Sequence, residues 1–214
     1  MSHHSNTSVS YHTPFKLNQQ VVYPLQGVGK IISIEERPFK DKKLLYYVIY
    51  LEVSDMTVMV PVEKAESLGI RAIVSKEEAE KALNFISEEY EPVPTDWKLR
   101  YQMNLDLLKQ GSVIDIAQVV RTLYHRSKIK ELPILERKLF DSALKLLVDE
   151  ISYSLGLRKE EIEHMIFSKL EAEAPEKVKT SHASSLAAEE EPDLEESFDL
   201  EEEEEEEEEE SFDY

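Results

Sequence analysis

The stretch from Phe15 to Arg71 confines the fold more tightly than any other, because its apolar residues come in pieces too short for helices. It opens Phe15-Lys16-Leu17 and continues Gln20-Val21-Val22-Tyr23-Pro24-Leu25-Gln26-Gly27-Val28-Gly29. Ile31-Ile32-Ser33-Ile34-Glu35 and Tyr46-Tyr47-Val48-Ile49-Tyr50-Leu51 follow, and Thr57-Val58-Met59-Val60-Pro61-Val62 closes the series. β-Branched and aromatic side chains suit a pleated, half-buried surface, and clusters of Pro, Gly, Asp or Lys separate the pieces. In the last piece Val58 and Val60 alternate with Thr57, Met59 and Pro61, so one face meets a core and the other meets solvent. The series predicts a small, curled antiparallel sheet. Gly27-Val28-Gly29-Lys30 lacks the spacing of a phosphate loop, and a strand rather than a helix follows it. The two glycines are read as a backbone turn that needs small residues.

At Ser75 the period changes to that of a helix. Ser75 and Glu78 have capping-box spacing, and Ala79, Ala82, Leu83 and Ile86 fall on one face. Tyr90-Glu91-Pro92-Val93-Pro94 interrupts the pattern. A second helix is expected from Thr95 or Asp96 to about Gly111, with Leu99, Met103, Leu107 and Leu108 as its buried stripe. Ser112 starts a third, with Val113, Ile116, Ala117, Val120, Leu123 and Tyr124 on its apolar side. Pro133 suits the first turn of a fourth, along which Leu139, Leu144, Leu147, Val148 and Ile151 run toward Leu155-Gly156. A last helix covers about Arg158–Leu170. Five helices with short connectors predict a compact bundle.

Charge divides the chain as sharply as periodicity does. The net charge of -20 is concentrated in residues 171–214, which hold 21 Asp and Glu against 2 Lys. The remaining residues 1–170 carry 24 acidic and 23 basic side chains, so they are balanced and can present a basic face. The unbroken run Glu201–Glu210 repels itself and buries nothing, which predicts disorder. The expected organisation is α+β: a flexible arm over 1–13, a β module over 14–73, a helical domain over 74–171 and a disordered acidic tail over 172–214.

Without cysteine the chain can form neither disulfides nor thiolate metal sites, and it has no thiol for catalysis. His3, His4 and His12 have no carboxylate or thiolate at ligand spacing and are read as part of a polar start. His125 and His164 are lone helix residues, and no nucleophile–base or paired-carboxylate constellation has a scaffold. No cofactor and no enzymatic activity are expected. No apolar run of membrane-spanning length occurs and the N-terminus lacks the pattern of a signal peptide, so a cytoplasmic, non-membrane protein is expected. Nothing demands more than a monomer.

The ordered set Val21-Val22-Tyr23-Pro24, Gly27-x-Gly29, an Ile-rich strand ending at Glu35, and Val58-x-Val60-Pro61 resembles the RNA-polymerase-interaction module of the CarD/CdnL family. That Tudor-like module also occurs in transcription-repair coupling factors. The resemblance continues through the helical region to about residue 170 and includes Pro94-Thr95-Asp96-Trp97. It implies a factor that docks on the β subunit of bacterial RNA polymerase through Arg37 and the strand Thr57, Val58, Met59, Val60 and Pro61. It also implies contact with promoter DNA, because Trp97 matches the tryptophan that CarD-like proteins place at the upstream edge of the melted bubble. The chain departs from the family pattern at Met59, where better-known relatives carry Arg, and at Gln102, which replaces a Lys used toward DNA. Both departures remove a cation. The acidic tail is a third departure.

Taken alone, Trp97 has two readings: a ring packing the β module onto the bundle, or an apolar wedge for a minor groove with unstacked base pairs. Lys98 and Arg100 flank it and suit phosphate contacts. A second basic cluster comprises Arg121, His125, Arg126, Lys128 and Lys130, with Arg137 and Lys138 beyond Pro133. These cations either offset a helix C-terminus or jointly track a phosphate backbone, with Arg121 toward the exposed side and 126–130 as a mobile connector. The tail is open between a solubility appendage, a nucleic-acid mimic and a ligand for a basic partner. The expected function is a transcription regulator that stabilises the open promoter complex. The alternative is an acidic adaptor or chaperone-like protein whose tail binds basic partners.

Overall fold

In a computed structural model the described residues are 13–40, 42–88 and 93–172. The expected flexible arm (but for Thr13), the acidic tail from residue 173 and part of the break at Tyr90–Pro92 lie outside them. Five strands, β1 (Gln20–Tyr23), β2 (Gly27–Phe39), β3 (Lys42–Leu51), β4 (Met56–Pro61) and β5 (Arg71–Ala72), pair antiparallel in the order β4-β3-β2-β1-β5. Val21, Ile31, Tyr47, Ile49, Leu51 and Val60 form the buried side of this sheet. A bulge between Ile31 and Ser33 leaves Ile32 as an extra residue, 45% exposed.

The two glycines have different causes. Gly27 adopts φ 91°, as a turn residue can. Gly29 instead lies within β2, where a Cβ would sit 2.6 Å from Ile49 Cγ2 and 2.9 Å from Leu51 Cδ2. Close packing against β3, rather than a turn, therefore requires it. Phe15–Leu17 is also not a strand. It packs the Phe15 ring on Tyr47 at 5.7 Å, and its N–H donates to the Tyr47 hydroxyl at 3.0 Å.

The helices are α1 (Lys76–Ile86), α2 (Trp97–Gln110), α3 (Val113–Ile129), α4 (Ile134–Leu155) and α5 (Lys159–Ala172). Ser75 and Glu78 make the full capping box of α1, and Ser112 caps α3 by accepting from the Asp115 N–H. The expected faces of α1 and α3 are buried. The expected stripe of α2 is buried only in its second half, at Leu108 and in part at Leu107. Leu99 and Met103 are 52% and 48% exposed, and Arg100, Asn104 and Leu108 take the inner face. The helix is turned because Arg100 finds an acidic partner inside the bundle (below), and the Asn104 side chain donates to the Arg100 carbonyl at 2.9 Å. α3 runs unbroken to Ile129, so Arg126 and Lys128 stand on a helix and not on a loose connector.

α4 joins the sheet to the bundle. Arg71 on β5 donates to both carboxylate oxygens of Glu150, and its Nη2 reaches the Gly111 carbonyl at 2.7 Å. Glu150 also accepts from the Val74 N–H at 3.2 Å. The Tyr153 hydroxyl donates to Glu52, and Lys159 pairs with the buried Asp149 at 2.7 Å. Among the described residues no helix is long and apolar enough to cross a membrane.

Candidate nucleic-acid interface

Trp97 is the first residue of α2. Asp96 caps the helix by accepting from the Lys98 N–H at 2.9 Å, which fixes where the first turn begins. The indole is half-buried, while Thr95, Asp96, Lys98 and Leu99 around it are exposed. The Lys98 ammonium stands 5.9 Å from the indole centroid, so an aromatic ring and a solvated cation share the helix start.

Arg100 does not join them at the surface, contrary to the sequence expectation. It is 2% exposed and grips the fully buried Glu136 of α4 through Nε–Oε1 at 2.7 Å and Nη2–Oε2 at 2.8 Å. Its Nη1 donates to the carbonyls of Pro94 at 2.7 Å and Thr95 at 3.1 Å. With its donors committed inward, this guanidinium has no path to a phosphate. Glu136 is the member of this group that the sequence did not reveal, because a Glu in a helical first turn reads as ordinary dipole compensation.

Arg121 is likewise redirected. It is 8% exposed, sets its Cζ 4.0 Å from the Phe85 ring centroid, and donates to the carbonyls of Phe85 and Glu88 at 3.0 and 3.3 Å. It adds a donor at the C-terminal end of α1, to the Phe85 carbonyl of the last turn and the Glu88 carbonyl just beyond it. Its charge, together with burial as the larger cause, pushes the His125 imidazole below its usual pKa. Arg126 is half-buried and Lys128 exposed, the latter 4.7 Å from the Tyr124 ring. Because Arg100 ties the start of α2 to the first turn of α4, and a short connector links α3 to α4, Trp97, Lys98 and the Arg126–Lys128 corner share one end of the bundle.

The second candidate surface is on the sheet. Ser33, Val48 and Met59 stand in one cross-strand row, and Glu35, Tyr46 and Pro61 in another. Residues two apart on a strand share a face, so Arg37, Thr57, Met59 and Pro61 all lie on the outer side. Val58 and Val60 turn inward, half-buried and buried, and offer a partner only their backbone. Among the described residues β4 pairs with β3 alone, and its outer edge is open. Arg37 is exposed and forks onto Glu35 at 2.8 and 3.1 Å. The Ser33 hydroxyl and this Arg37 contact hold the Glu35 carboxyl below its ordinary pKa. Among the described residues no group of His, Asp and Glu is placed to hold a metal ion, and the three N-terminal histidines lie outside them.

Comparison with known proteins covers both parts of the described fold. Residues 15–74 match the CarD-like/TRCF RID domain, and residues 81–167 match the CarD C-terminal domain. A protein of Bacillus subtilis (strain 168) named "Putative transcription factor YdeB" is 36% identical over 152 residues, covering 69% of this chain and 97% of the relative. Both halves of the fold, in the same order, thus have counterparts in one lineage of regulators, and the chain belongs to the CarD/CdnL family of transcription regulators.

Proposed function

We propose that this protein docks on the β subunit of bacterial RNA polymerase through its sheet and sets Trp97 into the minor groove at the upstream fork of the promoter bubble. The observation that carries the reading is the half-buried indole at the first position of a capped helix, beside the solvated Lys98. The open edge of β4 and the outer face bearing Arg37, Thr57, Met59 and Pro61 suit the polymerase contact by strand addition or face packing. Lys98, Arg126 and Lys128 suit the phosphates. Arg100 and Arg121 are assigned to the interior of the protein and not to DNA.

A wedge that fits only unstacked DNA favours the open complex by its differential affinity for the two states. Unstacking a base step costs about a few kcal/mol. Relief of about 1.4 kcal/mol changes open-complex occupancy about tenfold. Sequence preference is slight, because minor-groove patterns are degenerate. The protein would then act in the cytoplasm, on polymerase at the nucleoid.

The test is open-complex lifetime with purified bacterial polymerase. The wild type should prolong it, and Trp97→Ala should not while binding polymerase equally. Equal action of the two would make Trp97 structural. Failure of both to bind polymerase would move the acidic-adaptor reading ahead, and deletion of residues 171–214 would then abolish partner binding.

A further inference from the structure

We infer that Arg100 and Glu136 are positioning residues for Trp97, a buried mount that holds the indole at a fixed angle. This rests on the reading of Trp97 as the wedge and adds to it what aims the wedge. Three observations combine. Arg100 lies one turn after Trp97 on the inner side of α2 and is anchored bidentately to Glu136 on α4. The same guanidinium reaches back to the carbonyls of Pro94 and Thr95, immediately before the helix cap. The segment entering Trp97, Val93–Asp96, belongs to no strand or helix.

Arg100 therefore closes a ring through the approach segment, the first turn of α2 and the first turn of α4, with Trp97 inside it. Any tilt of the first turn of α2, and of the Trp97 backbone with it, must break charge-assisted hydrogen bonds, of which the two to Glu136 are buried. A wedge works only if the unstacked base step cannot simply push it aside. Asp96 alone does not prevent this, because a cap fixes the helix start but not its tilt.

Stability by itself does not require the pair. A buried ion pair replaced by apolar side chains of similar volume often leaves a protein as stable as before. That separates positioning from support. In Arg100→Met/Glu136→Leu the fold should persist, yet the carbonyls of Pro94 and Thr95 lose their donor and the indole its bracing.

Trp97 is the sole tryptophan, so its fluorescence reports on this residue without labels. In the full-length double variant, circular dichroism and polymerase affinity should match the wild type. Time-resolved anisotropy of Trp97 should gain a fast component, acrylamide quenching should rise, and the lifetime of the open complex should fall to the Trp97→Ala value. Glu136→Gln keeps one acceptor oxygen and should fall between wild type and double variant in all three; it decides the matter should the double variant not fold. Unchanged anisotropy and quenching in a folded variant would overturn the mount. So would an open-complex lifetime equal to wild type where Trp97→Ala has lost it. If Trp97→Ala leaves the lifetime untouched, the wedge reading fails, and the anisotropy of the free protein still decides for or against the mount.

Discussion

Replacing Arg71 with Met should loosen the attachment of the sheet to the bundle by a predictable amount. The Arg71 side chain is 29% exposed and that of Glu150 only 2%. After Arg71→Met the Glu150 carboxylate keeps a single donor among those described, the Val74 N–H at 3.2 Å, and the Gly111 carbonyl loses both guanidinium contacts, at 2.7 and 3.1 Å. Removing one partner of a buried pair costs about 3–5 kcal/mol, because it leaves a charge without compensation. Water reaching the partly exposed Arg71 side lowers this to about 2–3 kcal/mol. For a folded body of this size such a loss lowers Tm by about 4–12 °C. Urea unfolding followed by circular dichroism measures it directly. The double variant Arg71→Met/Glu150→Leu should recover most of the loss, since it removes the stranded charge as well. A single-variant loss under about 0.5 kcal/mol would refute the reasoning, being what a surface substitution costs. A double variant no better than the single would refute it too.

Gly29→Ala should cost about 1–3 kcal/mol in the same assay, since its Cβ would meet Ile49 and Leu51 at 2.6 and 2.9 Å. Ser75→Ala should cost about 1 kcal/mol by removing the cap of α1, whereas a neutral result would mean the capping box contributes nothing. Leu99→Gln should change stability by less than about 0.5 kcal/mol, because the residue is 52% exposed; a loss typical of a core leucine would restore the stripe expected from the sequence. Burial, then the hydrogen bond to Glu52, pushes the Tyr153 hydroxyl up to about 12. The folded state thus holds this proton more tightly than the unfolded one, and its contribution is complete below about pH 10 and lost as pH rises toward 12. Phenolate absorbance should show a late-ionising tyrosine that Tyr153→Phe removes.

Much of the fold is legible because it follows from local rules. The β pieces of the N-terminal module, the capping box at Ser75 and the apolar faces of α1 and α3 each depend on residues within a turn or two. The errors arise where distant residues decide. Leu99 and Met103 have core spacing, but α2 turns its Arg100 inward because Glu136 waits 36 residues away. Arg121 reads as a surface cation until Phe85 and the end of α1 are packed beneath it. Gly29 looks like half of a turn, and only the neighbouring strand shows why a side chain is excluded. β5 has two residues and no pattern of its own. For the candidate site, Trp97 and its cap stand out in the sequence, whereas the buried charge that braces them does not.

The position of Glu136 and Glu150 on one unbroken helix turns α4 into a length standard. Fourteen residues separate the two anchors, about 21 Å at 1.5 Å per residue. Because this is close to a whole number of turns, both carboxylates face nearly the same way. How far Trp97 stands from the sheet is therefore written in helical turns rather than in a linker. One residue inserted between Phe140 and Lys145 would add about 1.5 Å and rotate one anchor about 100° from the other. Seven would restore the facing and lengthen the span by about 10 Å. Under the proposed function, the spacing between these two acids would set how far the wedge stands from the docking sheet.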